Sequence, residues 1–496
     1  MTRRLASEPI DVAVIGGGPA GATAARLLAQ WGHRVVLLTR AAASPALVES
    51  LPPSSVRVLD RLGVRESVEG VAFPRATGNT VCWANATAPH VEVFARGAYG
   101  LQVRRELFDR LLRREAERAG VVLRRRANVR QIVSDDGGET WLVGVAGARK
   151  ADRLRARWVL DCSGRARLSS RGGQSLTTRA PRTVAVIATW RQATWPDIDH
   201  AHTLVESYAD GWIWSMPRTS TQRDIAVMLD AERAVRRDAL TAHYHSELAR
   251  SSWFRSLTAR ASLITPAWAR DASAYLTPTI ARRGLLLVGD AASAVDPLSS
   301  FGVKKAMASA WLAAIVTHTC LETPVAGDEA CAYYTASEHR MYESLQRQLG
   351  AMAVAPAAAY GSAFWTRRAA LHAAPAIDSS TLNNRSAAIA ALDAMRGRSA
   401  VRFRVAADVR EVERPIVRGN RLVLEPHLSA PALDGDVRYA HNVNIVRLVR
   451  LASAHEQVPS LFEAYNRAAP TTERVPISNF LSALSTLVGA RILDLL

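Results

Sequence analysis

The chain has 496 residues, 48% hydrophobic and 22% charged, the balance of a soluble globular protein with room for two or three domains. Its formal charge of +18 is almost wholly arginine, scattered along the chain with lysine only at Lys150, Lys304 and Lys305, so the charge does not mark a nucleic-acid partner. Cys82, Cys162, Cys320 and Cys331 have no metal or disulfide spacing, and no run reaches the roughly 18–20 apolar residues of a membrane span, so a cytoplasmic protein without transmembrane segment is expected.

Ile10–Ile15 is a compact apolar run ending in glycines, the pattern of a buried parallel strand. Ala20–Trp31, rich in small residues and closed by Gly32, reads as a helix, and Arg34–Leu38 as a second buried strand. Between the first strand and the helix stands Gly16-Gly17-Gly18-Pro19-Ala20-Gly21, the G-x-G-x-x-G of a dinucleotide-binding β-α-β unit. Gly16 permits the tight turn, Gly18 lets the backbone approach a pyrophosphate, and Gly21 lets the helix pack close to the sheet. Pro19 and Ala20 open the helix, whose N–H groups and dipole favour that anion. An acidic residue is expected about 20 residues on to bind ribose. Thr39 and Arg40 stand there instead, Thr39 offering one weaker hydrogen bond and Arg40 a surface for adenine.

Arg105–Ala119 is an amphipathic helix with Leu107, Phe108, Leu111 and Leu112 on one face and Gly120 as its stop. Val121–Arg125 and Trp158–Asp161 read as further strands of the nucleotide-binding domain. From about Arg182 to Thr277 the pattern turns to β-type stretches that hold Trp190, Trp212 and Trp214. Spacing of two puts Trp212 and Trp214 on one face of a strand, as a wall above the cofactor or as ordinary sheet packing. His200 and His202, and His243 and His245, have no acidic partner at ligand spacing, so no metal is expected.

Gly284–Val288 returns to the first domain as a buried strand and ends in Gly289-Asp290. A carboxylate at a strand end accepts from ribityl hydroxyls, the second anchor that FAD needs and NAD does not. Asp296-Pro297-Leu298-Ser299-Ser300-Phe301-Gly302-Val303-Lys304-Lys305 then leads into a helix over Val303–Leu321. This loop brings N–H groups and a helix N-terminus to one spot, favourable for an anionic reduced flavin or a halide, and the two lysines add positive field. The expected organisation is a discontinuous FAD-binding domain (8–181 and 278–350), a substrate-covering β-sheet domain (182–277), an alanine-rich helical or linker segment (351–400) and a small C-terminal helical module (401–496). The fold class is α/β, a Rossmann-type FAD-binding domain interrupted by a sheet domain.

These segments resemble the FAD family built like p-hydroxybenzoate hydroxylase, whose Gly-Asp motif has the form of Leu285–Ala292. That family carries an arginine three residues before a Phe-Asp pair, matched by Arg105-Glu106-Leu107-Phe108-Asp109. The resemblance covers most of residues 10–320 and implies FAD as cofactor, contacted by Gly289, Asp290 and Arg105, with Pro297, Ser300, Phe301, Gly302 and Val303 beside the ring. Asp161-Cys162-Ser163-Gly164-Arg165 is similar to the turn of flavin-dependent halogenases and related reductases, which implies a separate flavin reductase as electron donor in place of direct NAD(P)H use. Gly211–Pro217 resembles the halogenase W-x-W-x-I-P motif, with Met216 for Ile, whereas the halogenase Ser-Thr-Gly is here Ser300-Phe301-Gly302.

Halogenases also carry a lysine soon after a Gly-Glu-x-x-x-Pro segment. Glu49–Pro53 looks like that segment, yet the stretch through Gly78 holds no lysine, and Arg75 stays charged. The central segment is most similar in style to halogenase-like flavoproteins that hydroxylate a peptidyl tryptophan in tryptophylquinone biogenesis. The resemblance therefore implies a monooxygenase that passes oxygen from a flavin C4a-hydroperoxide to an electron-rich aromatic, small-molecule or peptidyl, with Trp212, Trp214 and Lys304 at the reacting centre. Halogenation with oxygen and halide, reduction of unsaturated substrates and non-catalytic FAD binding are the alternatives.

Overall fold

Strands buried on both faces read as continuous apolar runs, and Val12–Ile15, Val35–Leu38 and Leu285–Leu287 are all buried. In the computed structural model they share one sheet, in the order Leu285–Leu287, Ala151–Asp161, Ile10–Ile15, Val35–Thr39, Val122–Arg125, with all these neighbours parallel. The structure describes residues 9–41, 47–135, 139–146, 151–170, 181–195, 200–233, 235–323, 327–372, 384–396, 398, 400–433 and 435–496. They divide into two units, Met1–Ala374 and Pro375–Leu496.

Helix α1 (Pro19–Gln30) joins Ile10–Ile15 to Val35–Thr39, while Ala151–Asp161 lies on the other side of the first strand. The connections diverge there, so the crevice at the carboxyl end of Ile10–Ile15 is the switch point at which such sheets bind ligands. Two more helices of this region, α2 (Pro53–Arg61) and α3 (Arg105–Arg118), follow short strands at Val48–Leu51 and Gly100–Arg104 that pair with one another.

The second sheet runs Ser262–Leu263, Thr183–Arg191, Gln222–Asp230, Gly211–Pro217, His202–Tyr208, Gly78–Cys82, His90–Val93. Its last two strands come from outside residues 182–277, because His202–Tyr208 takes Gly78–Cys82 as a parallel partner. Helices α4 (Leu240–Ala249) and α5 (Ser252–Thr258) cover one face through Tyr244, Leu248 and Phe254, packed on Leu204, Ile213 and Ile225. Trp212, Trp214, Met216 and Met228 belong to a different cluster, with Ala353, Phe364 and Trp365.

Three helices close the first unit: α6 (Gly302–Glu322), α7 (Gly327–Tyr360) and α8 (Ala363–Ala369). The border expected at residue 350 falls inside α7, which continues through the alanine-rich stretch because alanine is the best helix former and Ala353 and Pro356 are buried against the unit. The second unit starts before residue 401, taking in a helix at Arg385–Met395, and mixes helices with a hairpin of Arg410–Arg418 and Arg421–Ser429. Its core gathers Leu448, Leu461, Tyr465, Phe480 and Leu484. Among the described residues no helix is long and apolar enough to cross a membrane.

Candidate functional site

The glycine turn lies at the switch-point crevice, and its geometry leaves little choice of side chain. Gly16 has φ +107°, and a Cβ there would lie 2.3 Å from the Cys162 carbonyl oxygen. A Cβ on Gly21 would stand 1.8 Å from the Gly16 carbonyl oxygen, so helix and turn touch backbone to backbone. Gly18 differs: the nearest atom to a Cβ is Arg105 Nη2 at 4.0 Å, which leaves open space above it. Helix α1 begins there with Pro19 in its first turn, no side-chain cap and no acidic residue. An uncapped N-terminus facing open space under an arginine fits a dinucleotide pyrophosphate.

Arg105 is held in place by Glu49 at 2.6 Å and by both oxygens of Asp109 at 3.0 and 3.1 Å. Burial alone depresses its pKa, and the two carboxylates more than reverse that, so the guanidinium stays charged. Arg113 donates to the Gly17 carbonyl at 2.8 Å. At the end of Val35–Thr39, Thr39 is buried, and a Cβ on Gly17 would meet Thr39 Cγ2 at 2.3 Å, whereas Arg40 is exposed.

Gly289, at φ +67°, turns the chain after Leu285–Leu287, and the half-buried Asp290 follows. This turn is braced from behind. Lys305 Nζ donates to the Gly289 carbonyl at 2.7 Å and to the Ser293 carbonyl, and lies 3.7 Å from Glu338 of α7, with both side chains 1% exposed. Ser309 accepts from the Gly289 N–H at 3.0 Å, and Tyr334 donates to the Leu287 carbonyl at 2.8 Å. Of the two adjacent lysines, only Lys304 sits at a partly exposed position, where either had been expected to point to solvent or add to the field of the loop.

In the loop before α6, Asp296 accepts from the Leu298 N–H at 3.0 Å, Pro297 opens a short turn and Ser300 takes φ +52°. Burial pushes the Asp296 carboxyl up, opposed by Arg368 and the Leu298 N–H. Helix α6 starts without a side-chain cap or an acidic first turn, and a Cβ on Gly302 would meet nothing within 4 Å. Ser300 is exposed, Phe301 and Gly302 half-buried and Val303 buried. Lys304 Nζ donates to Ser54 Oγ of α2 at 2.9 Å and lies 4.6 Å from the Phe301 ring centre. Burial, aided by the charge of Arg57, lowers its pKa. The lysine-free stretch after Glu49–Pro53 therefore receives a lysine in space, from α6.

A small recess lies beside this loop, with a cavity volume of about 20 Å³, lined by Trp212, Asp296, Leu298, Gln346, Trp365 and Arg368 among others. Trp214 is not part of its lining and packs in the apolar cluster beside it. Trp365 is fixed by its indole N–H on the Tyr208 carbonyl at 2.8 Å, and Arg368 by Asp230 at 2.9 Å and Thr183 at 2.8 Å. Gln346 donates to Tyr342 at 2.7 Å, and its amide oxygen is buried without a hydrogen-bond partner among the described residues. The sequence did not point to Gln346, at the end of the segment read as FAD-binding domain, or to Trp365 and Arg368, in the segment read as helix and linker; a lone tryptophan in an alanine-rich stretch was the one available signal.

The family model described as FAD binding domain matches residues 9–345. A tryptophan 2-halogenase of Chondromyces crocatus is 31% identical over 347 residues, which are 67% of this chain and 65% of that protein, so slightly under two thirds of the relative is spanned. Two solved structures share the fold at 22% identity. The flavin-dependent halogenase CmlS has a TM-score of 0.76, covering 98% of this chain and 96% of its own. The peptidyl tryptophan dihydroxylase QhpG, essential for tryptophylquinone cofactor biogenesis, has a TM-score of 0.72, covering 96% and 99%.

Proposed function

The chain belongs to the FAD binding domain family, and from that premise we propose that it is a flavin-dependent oxidoreductase of the halogenase and monooxygenase type that hydroxylates an electron-rich aromatic ring held under Trp212. The observation that carries this reading is the recess itself. Trp212 and Trp365 offer flat apolar walls, and Gln346 keeps an unpaired acceptor between them and the loop. The recess is narrow as it stands, and widened by movement of these side chains its lining suits a ring that bears an N–H donor, an indole above all. The names of the relatives point the same way, and tryptophan, free or within a peptide, is the proposed substrate class.

FAD, when bound and reduced, supplies the electrons that activate oxygen; the chain supplies position and exclusion of water. Gly16, Gly18, Pro19, Ala20 and Gly21 hold the pyrophosphate on α1, with the Arg105 charge beside it. Thr39 and Arg40 take the adenosine end, and Gly289 and Asp290 the ribityl chain. Pro297, Ser300, Phe301, Gly302 and Val303 border the ring, where the uncapped end of α6 favours negative charge. Trp212 forms the wall of the recess, Trp214 backs it, and Lys304 ties α2 to the loop through Ser54. Electrons arrive from a separate flavin reductase, with NAD(P)H as the other candidate donor.

Halogenation is the second reading, favoured by the relatives and by the reach of Lys304 to α2. Hydroxylation is preferred because that amine is already engaged by Ser54 and the Phe301 ring, and no lysine lies between Pro53 and Gly78. The test mixes chemically reduced holoprotein with oxygenated buffer and L-tryptophan or a tryptophan-containing peptide, with and without bromide, and weighs the products by mass spectrometry. One added oxygen regardless of bromide is the expected result. A brominated product overturns hydroxylation in favour of halogenation, and an unaltered probe overturns tryptophan as the substrate class.

A further inference from the structure

We infer a binding site for one divalent transition-metal ion of zinc type, formed by His33, His318 and Glu322 on the edge of the first sheet opposite the glycine turn. His33 lies in the turn between α1 and Val35–Thr39, and its partners lie near the end of α6. His318 and Glu322 are four residues apart on that helix, so they project from one face one turn apart. One ligand atom from each of the three residues can be chosen so that all lie within 4.8 Å of one another. Two imidazoles and a carboxylate on a helical i, i+4 frame are the donor set of a three-ligand zinc site, with a fourth position for water. The nitrogen ligands select Zn²⁺, Co²⁺, Ni²⁺ or Cu²⁺ over Mg²⁺ and Ca²⁺.

The rings are already gathered. His33 Nε2 and His318 Nδ1 lie 2.8 Å apart, sharing a hydrogen bond. Two nitrogens bound to one tetrahedral ion at about 2.0–2.1 Å sit about 3.3 Å apart. Binding one ion therefore needs the two nitrogens to part by about half an ångström and the rings, His33 above all, to turn so that both lone pairs converge on it. His318 is 3% exposed and lies against the Trp31 ring, 5.3 Å between centroids, which limits its rotation. His33 is half-buried and Glu322 exposed, so an ion has a path from solvent. Nearby Asp11 is already engaged by Arg34 and Arg157.

The site stands apart from the flavin. His33 precedes the strand Val35–Thr39, whose far end is at the glycine turn, about five residues and so about 17 Å away. Its role is a clamp between the α1 turn and the end of α6, the helix that presents the Ser300–Gly302 loop at its other end.

The test uses untagged holoprotein stripped of metal by chelator. Zn²⁺ is titrated by calorimetry and Co²⁺ by its visible d–d absorption, in the wild type, His33→Asn and Glu322→Gln, with bound flavin per chain as the check on folding. One ion per chain is expected, with a four-coordinate Co²⁺ spectrum, and each variant should bind at least about 10-fold more weakly at unchanged flavin content. Glu322 is exposed, so its variant tests the site even if His33→Asn folds poorly. Absence of stoichiometric binding in the wild type, or binding that neither variant weakens, overturns the site and leaves a plain histidine–histidine hydrogen bond.

Discussion

The glycine turn and the recess are two halves of one candidate site, and they are built on opposite principles. At the turn the ligand meets backbone, and the side chains matter by being absent: Gly16 and Gly21 have no room for a Cβ and Gly18 has nothing above it but Arg105. At the recess the lining is gathered from the second sheet, the loop before α6, helices α7 and α8 and the segments beside them. Backbone recognition is local in sequence and resists substitution. Side-chain recognition is dispersed and open to change, which is where relatives that share a cofactor can part in substrate.

The sharpest way to break that comparison is at the turn. Gly21→Val forces side-chain carbons against the Gly16 carbonyl, and overpacking of this kind costs about 3 kcal/mol or more, equivalent to at least about 100-fold in affinity. Flavin absorbance per purified chain should fall to near zero. Retention of full flavin would mean that the turn does not hold the pyrophosphate.

Next in size is the brace behind Gly289, which belongs to neither half and stiffens both, since α7 carries Glu338 toward the turn and Gln346 toward the recess. Glu338→Ala leaves the Lys305 ammonium buried and unpaired, a loss of about 3–5 kcal/mol in urea unfolding. Replacing both partners together, Lys305→Met with Glu338→Leu, should recover most of that loss, because two matched apolar groups leave no charge to desolvate. A double variant as unstable as the single one would show that the lysine acts through its hydrogen bonds to Gly289 and Ser293 and not through its charge.

The same contrast explains what was legible in the sequence. The β-α-β unit could be read because the apolar run, the glycines and the small-residue helix are contiguous and each has a local physical reason. Gly289-Asp290 could be read because a buried strand announces its own end. Lys305 could not, since its burial depends on Glu338, 33 positions away on another helix. Trp365 looked like part of an alanine-rich helix and linker, and Gln346 like an ordinary residue of the FAD-binding domain; α7 and the helix after it bring them to one recess. The hairpin of the second unit was hidden in the same way. Arg410–Arg418 carries its arginines and glutamates at exposed positions and has no fully buried residue, so it lacks the apolar alternation that marks a strand with one buried face.

At the recess a smaller and more selective effect is expected. Gln346→Leu keeps much of the bulk and removes the free acceptor, so binding of L-tryptophan or a tryptophan peptide should weaken by about 10-fold, the scale of one hydrogen bond. Flavin content should not change. The loss should appear in KM more than in kcat if the amide serves binding alone. Equal weakening toward an aromatic probe without an N–H would show that Gln346 acts by shape.

The smallest effect belongs to Lys304, at the border of the two halves. Its hydrogen bond to Ser54 and its place over Phe301 are half-exposed contacts, worth under about 1 kcal/mol together, so Lys304→Met should leave stability near neutral pH almost unchanged. The pH dependence is more telling. Burial and Arg57 lower the amine's pKa in the folded state, so over the interval between that value and the ordinary lysine range the unfolded chain holds more protons. Wild-type stability therefore gains a small increment as pH rises through that interval, and Lys304→Met loses the increment. Urea midpoints measured across mildly alkaline pH in the two proteins separate the cases: parallel curves would mean that the amine is solvated, and separation at high pH, with the wild type gaining, that it is held dry between α2 and the loop.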